Sequence, residues 1–154
     1  MSRTVVVATA FVLVVVAYAV LSQAWVSASP GWYAALARPP WQPPDWVFGV
    51  IWPLNFLALA TTGVVLARSS PDTAVLALVV TVASVVCALL WAYLFYVPHA
   101  LTASALALGV AAVLTWVLVV VAARGIAWTG LLLTPYAVWM TVATSLAAWY
   151  AAHV

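Results

Sequence analysis

Five stretches of the chain run about twenty residues or more with almost no polar interruption: residues 4–24, 46–67, 73–96, 100–123 and 128–152. A helix needs about 20 apolar residues to cross a bilayer, so each stretch predicts one transmembrane helix. The separators are short and polar or turn-forming: "RSSPD" at 68–72, "VPH" at 97–99 and "RGIA" at 124–127. Turns this short force neighbouring helices to run antiparallel. The pattern therefore predicts an all-α integral membrane protein, a five-helix bundle forming a single domain over 1–154. Residues 25–45 form the only long connection. The first stretch exceeds the roughly 7–15 residues of a signal-peptide core, which argues against cleavage.

Composition sharpens this picture. The chain is 69% hydrophobic and 4% charged, with a mean hydropathy of +1.26. A soluble domain carries roughly 25% charged residues. Four arginines and two aspartates, with no Lys or Glu, cannot cover a water-facing surface. A net charge of +2 from so few groups gives no reason to expect a nucleic-acid partner. Arg3, Arg68 and Arg124 fall on one side of a five-helix bundle, and Arg38 alone on the other. The positive-inside rule then puts the N-terminus in the cytoplasm. The expected location is a bacterial cell membrane. Cys87 is a lone thiol in an apolar run, and no Cys/His metal spacing occurs.

Few residues carry polar chemistry. Asp45 follows Pro43 and Pro44 at the start of the second segment. A carboxylate there suits the free N–H groups and positive dipole end of a helix, so capping is the plain reading. Pairing with Arg38, or service as an acid at a pocket mouth, is the sharper one, and Asp45 is the weak candidate for a catalytic role. Asn55 lies inside the membrane, where an amide needs a partner. It reads as an interhelical hydrogen bond or a ligand contact. Pro53 lies just before it and predicts a kink. His99 reads as a solvated turn residue. No Ser/His/Asp set, carboxylate pair or phosphate loop can be assembled.

The ten tryptophans say more. Trp25, Trp32, Trp46, Trp128 and Trp149 sit near segment ends, as an interfacial belt requires. Trp52, Trp91, Trp116 and Trp139 lie deeper. Trp139 shares a helical face with Tyr136, Ala143, Leu146, Ala147 and Tyr150, and Trp52 shares one with Asn55, Phe56 and Leu59. Large rings beside small residues leave flat, aromatic-walled gaps. Plain helix packing explains any single ring, whereas the set suggests a pocket for a large planar ligand.

Three motifs in order resemble the TspO/MBR family, the tryptophan-rich sensory proteins and translocator proteins (peripheral benzodiazepine receptors). "WYAALARPPWQPPDWVFGVIW" at 32–52 resembles the family's WYxxLxKPxWxPPxWxFxxxW. "WAYLFY" at 91–96 resembles its third-helix WxxxFF element, and "LLTPYAVWMTVATSL" at 132–146 its fifth-helix PYxxWxxxAxxLN element. The resemblance implies a five-helix bundle with a first loop lidding a pocket that binds porphyrins, sterols or synthetic aromatic ligands. It implies a ligand site at Trp52, Trp91, Trp139 and Ala143, with Asn55, Phe56, Tyr136 and Ala147 joining them from the shared helical faces. It implies a lid at Trp32, Leu36, Arg38 and Trp41. The family's amides in the third and fifth helices are replaced here by Ala88 and Ala147, which suggests that a pocket amide has moved to Asn55.

The expected function is therefore binding of a porphyrin or other polycyclic lipophilic ligand, as a sensor, regulator or handling protein. No cofactor is required, though a haem-type ligand fits the class. Membrane lipid and a second copy, as a homodimer, are the other expected partners. The alternative is a membrane enzyme acting on a lipophilic substrate, by porphyrin photo-oxidative degradation or isoprenoid rearrangement. A third reading is a structural or partner-binding protein, in which Gly63, Gly109, Ala105 and Ala112 form a dimer face.

Overall fold

A long apolar run can satisfy its backbone in lipid only by closing every hydrogen bond within itself, as a helix does. The computed structural model describes residues 2–154 and shows five such helices with one short helix between the first two. They are α1 (Arg3–Val26), α2 (Pro30–Ala35), α3 (Asp45–Ser69), α4 (Pro71–Tyr96), α5 (Leu101–Gly125) and α6 (Ala127–His153). The five long helices have 24 to 27 residues. At about 1.5 Å per residue each reaches beyond the roughly 30 Å hydrocarbon core. The protein is thus a multi-pass integral membrane protein.

Sequence punctuation sets the helix ends. The Ser2 hydroxyl accepts from the Val5 N–H at 3.3 Å and caps α1. Ser70 alone separates α3 from α4, and Pro71 starts α4 with its φ already suited to a first turn. Ile126 alone separates α5 from α6. His99 turns the chain between α4 and α5 with a φ of 57°, a left-handed conformation seldom taken by a residue with a Cβ.

Two expectations about the first connection change. Residues 27–44 are not one continuous loop, because α2 forms inside them with Pro30 in its first turn. The Ser29–Pro30 pair is the start signal that marks it. Asp45 does not cap α3. Pro44 holds the cap position without a side-chain bond, and Asp45 is the first helical residue.

Helix α5 packs along α4 and α6, α1 along α3 and α4, and α3 against α4 and α6. Small residues permit the close approaches. A Cβ on Gly130 would meet the Ala123 Cβ at 2.6 Å. A Cβ on Gly63 would fall within the ring of Phe11, which is fully buried. Gly63 is therefore an internal α1–α3 contact, and Ala112 is buried as well. Neither belongs to an outward dimer face. Ala105 and Gly109 do border an outward groove between α5 and α6, opposite Thr144 and Ala148.

The polar interior is sparse. The Ser84 hydroxyl donates to the Ala111 carbonyl at 3.0 Å, and Thr115 donates to the same oxygen at 2.8 Å. The Ser84 bond ties α4 to α5 through a backbone oxygen already inside a helix. Helices α1 and α6 do not pack along one another. The space between their outer halves is where the cavity forms.

Candidate ligand cavity

A cavity of about 780 Å³ lies between the second half of α1, the first half of α3 and the last turns of α4 and α6. Helix α1 contributes Tyr18, Ser22 and Val26, a face repeating every four residues. Helix α3 contributes Asp45, Phe48, Gly49, Trp52, Pro53 and Phe56. Trp91, Phe95 and Tyr96 come from α4, and Ala143, Leu146, Ala147 and Tyr150 from α6. The volume falls in the range of about 300–1,000 Å³ usual for small-molecule sites.

The rings hold one another in place. Tyr18 meets Trp52 and Phe56 edge-on at 6.1 Å and 5.1 Å between centroids. Trp52 in turn meets Trp139 at 6.5 Å, nearly perpendicular. Edge-to-face contacts of this kind are favourable and fix ring orientation. The Tyr18 hydroxyl and the Trp91 Nε1–H are buried rather than exposed to the cavity, and neither has a hydrogen-bond partner within the protein.

The predicted site residues separate into two groups. Trp52, Phe56, Trp91, Ala143 and Ala147 line the cavity. Trp139, Tyr136 and Asn55 do not. Trp139 stands behind the wall, against Trp52 and Phe48. Tyr136 is buried deeper, with its hydroxyl near that of Tyr18. Asn55 is 3% exposed and its amide nitrogen has no partner. The family amides at positions 88 and 147 are therefore not replaced on the cavity wall by Asn55. Trp116 faces outward, 41% exposed, with its Nε1–H donated to Thr141 at 3.1 Å.

Of the residues expected in a lid, Trp32, Leu36, Arg38 and Trp41 do not line the cavity, whereas Tyr33 beside them does. The segment is tied down at several points. Gln42 Nε2 donates to the Tyr33 hydroxyl at 3.2 Å, and the Tyr150 hydroxyl donates to Gln42 Oε1. Trp41 Nε1 donates to Ser145 Oγ on α6 at 3.3 Å. Trp32 lies flat on His99, with centroids 3.8 Å apart, so His99 is more than a solvated turn residue. Arg38 engages Asp45 as a fork, Nη1 to Oδ1 at 2.9 Å and Nη2 to Oδ2 at 3.2 Å. Those hydrogen bonds first, and the carboxylate charge next, push the guanidinium up from its ordinary value. The pairing reading of Asp45 is thus the one the geometry supports.

The sequence reading passed over Tyr18, Tyr33, Gln42, Phe48, Gly49, Phe95, Tyr96 and Tyr150 as site residues. Tyr18 carried a signal, being the one tyrosine in an Ala/Val stretch, with Ser22 and Val26 following at helical spacing.

A five-helix membrane bundle with an aromatic cavity beneath a tethered first connection defines a class, and sequence comparison names it. The TspO/MBR family model matches residues 8–152, and the chain belongs to that family. It is also similar to protein CrtK of Rhodobacter capsulatus, at 32% identity over 126 residues that cover 77% of this chain and 76% of CrtK.

Proposed function

We propose that the protein binds a porphyrin or related tetrapyrrole in the cavity and acts as a sensor, regulator or handling protein for it. The observation that carries this reading is the wall itself, with Tyr18, Phe48, Trp52, Phe56, Trp91 and Phe95 surrounding about 780 Å³. A rigid, flat ligand buries much area there with little loss of its own conformational freedom. The segment from Trp32 to Trp41 serves as a lid. The N-terminus lies in the cytoplasm, by the placement of Arg3, Arg68 and Arg124. A homodimer is part of the proposal, with Ala105 and Gly109 in the outward α5–α6 groove as its closest approach.

The rival enzymatic reading needs an acid on the wall. Asp45 is the carboxylate there, but both its oxygens are engaged by Arg38, which supports binding over chemistry. Titration of the purified protein with protoporphyrin tests the proposal. Saturable quenching of tryptophan fluorescence is expected, with an affinity in the micromolar range or tighter, about −8 kcal/mol. Linear, non-saturating quenching at those concentrations would count against it.

A further inference from the structure

The cavity is closed toward water and open toward lipid. On the water side, Tyr33, Gln42 and Tyr150 form a hydrogen-bonded bridge, and Trp41 is fastened to Ser145. On the side between α1 and α3 the wall behaves differently. Asp45, Gly49 and Pro53 all line the cavity and all are exposed. They recur every four residues, so they form one edge of α3 about 12 Å long. Across from them, Val20 and Gln23 of α1 also line the cavity and are exposed, Val20 by 62%. No atom lies within 4 Å of where a Gly49 Cβ would sit. At its other end the same helix pair is tight, because Gly63 accepts the ring of Phe11 directly. The α1–α3 seam is thus clasped near the Arg3 end and parted near the Asp45 end.

We infer that this parting is a lateral portal through which a flat lipophilic ligand passes between the bilayer and the cavity. Its chemistry suits an amphipathic molecule rather than a plain hydrocarbon. Pro53 has no N–H to give the Gly49 carbonyl, so that edge carries a backbone acceptor unpaired within the helix. Ser22 and Gln23 supply hydroxyl and amide groups on the facing edge. A ligand with polar groups along one side can keep them toward Asp45 and Gln23 while its ring stays in hydrocarbon. A lipid-soluble ligand concentrated in the bilayer then needs no passage through the tethered lid.

The test places a bulky group where the structure has room. In a Cys87→Ala background, Gly49→Cys is labelled with a pyrenyl maleimide and reconstituted in phosphatidylcholine vesicles carrying protoporphyrin. Leu57→Cys, exposed two turns beyond Gly49 along the same edge of α3 and outside the cavity lining, is the labelled control. A portal predicts that the Gly49 label slows both association and dissociation, association by about tenfold; Kd is not held fixed, because Gly49 also lines the cavity. The Leu57 label should change neither rate. An unchanged association rate with the Gly49 label overturns the portal, as does a loss of affinity arising only from faster dissociation. The inference depends on the proposed function only for its probe, so a second readout needs no ligand. A nitroxide at Gly49→Cys should collide with bilayer-dissolved oxygen about as freely as one at Leu57→Cys. Protection from oxygen would mean that the seam is closed, and the inference would fail. Absence of protoporphyrin binding to the unmodified protein would instead defeat the functional proposal, leaving the nitroxide result to decide the portal.

Discussion

Gly63→Ala is expected to lower the thermal midpoint in detergent by roughly 4–8 °C, a net loss of about 2 kcal/mol. The added methyl would fall within the Phe11 ring, and it would also crowd the Phe11 Cβ. Rotating the ring cannot relieve a clash with the Cβ, so α1 and α3 must move apart. Overpacking of a filled contact costs about 1–3 kcal/mol, occasionally more, and the better helix propensity of Ala returns somewhat under 1 kcal/mol. Gly49→Ala, on the same helix but with open space around it, provides the contrast. Its midpoint should stay level or rise. Thermal unfolding followed by circular dichroism separates the two variants. Equal midpoints would show that the α1–α3 clasp is looser than the structure places it.

Trp52→Ala is expected to weaken protoporphyrin binding by roughly 30- to 150-fold, about 2–3 kcal/mol. Trp52 is at the centre of the wall. It contributes ring surface to the cavity and orients Tyr18, Phe56 and Trp139. Removing it takes away ligand contact and frees the neighbouring rings to turn. Trp116→Phe is the matched control, since that ring faces away from the bundle and touches no part of the cavity. The Soret absorbance of the ligand is the appropriate readout, because it does not depend on the number of tryptophans left. An affinity unchanged in Trp52→Ala would remove the cavity from the binding account.

The membrane helices were legible in the sequence because lipid permits so few solutions. A twenty-residue apolar run must be a helix, and each observed end lies within two residues of the expected one. Lining residues with a motif behind them, such as Trp52, Trp91 and Ala143, were legible too. Depth along a helix was less legible than its face. Trp139 shares the phase of Leu146 and Tyr150 but lies a turn before Ala143, where the α6 lining begins, and Asn55 lies within about 20° of the lining Phe48, so phase did not separate it from the wall. Gly63 read as a surface contact because a small residue looks the same whether a ring of its own chain or a second bundle fills the space. The bonds that fasten Gln42 and Trp41 to α6 join residues more than a hundred positions apart, which no local pattern encodes.

The central claim is that the cavity, not the outer surface, holds the ligand. A structure of the protein with protoporphyrin bound tests it most directly. The account predicts the macrocycle among Trp52, Phe56, Trp91 and Ala143. A macrocycle lodged instead in the α5–α6 groove beside Gly109, with the rings of the cavity unmoved and nothing between them, would contradict it.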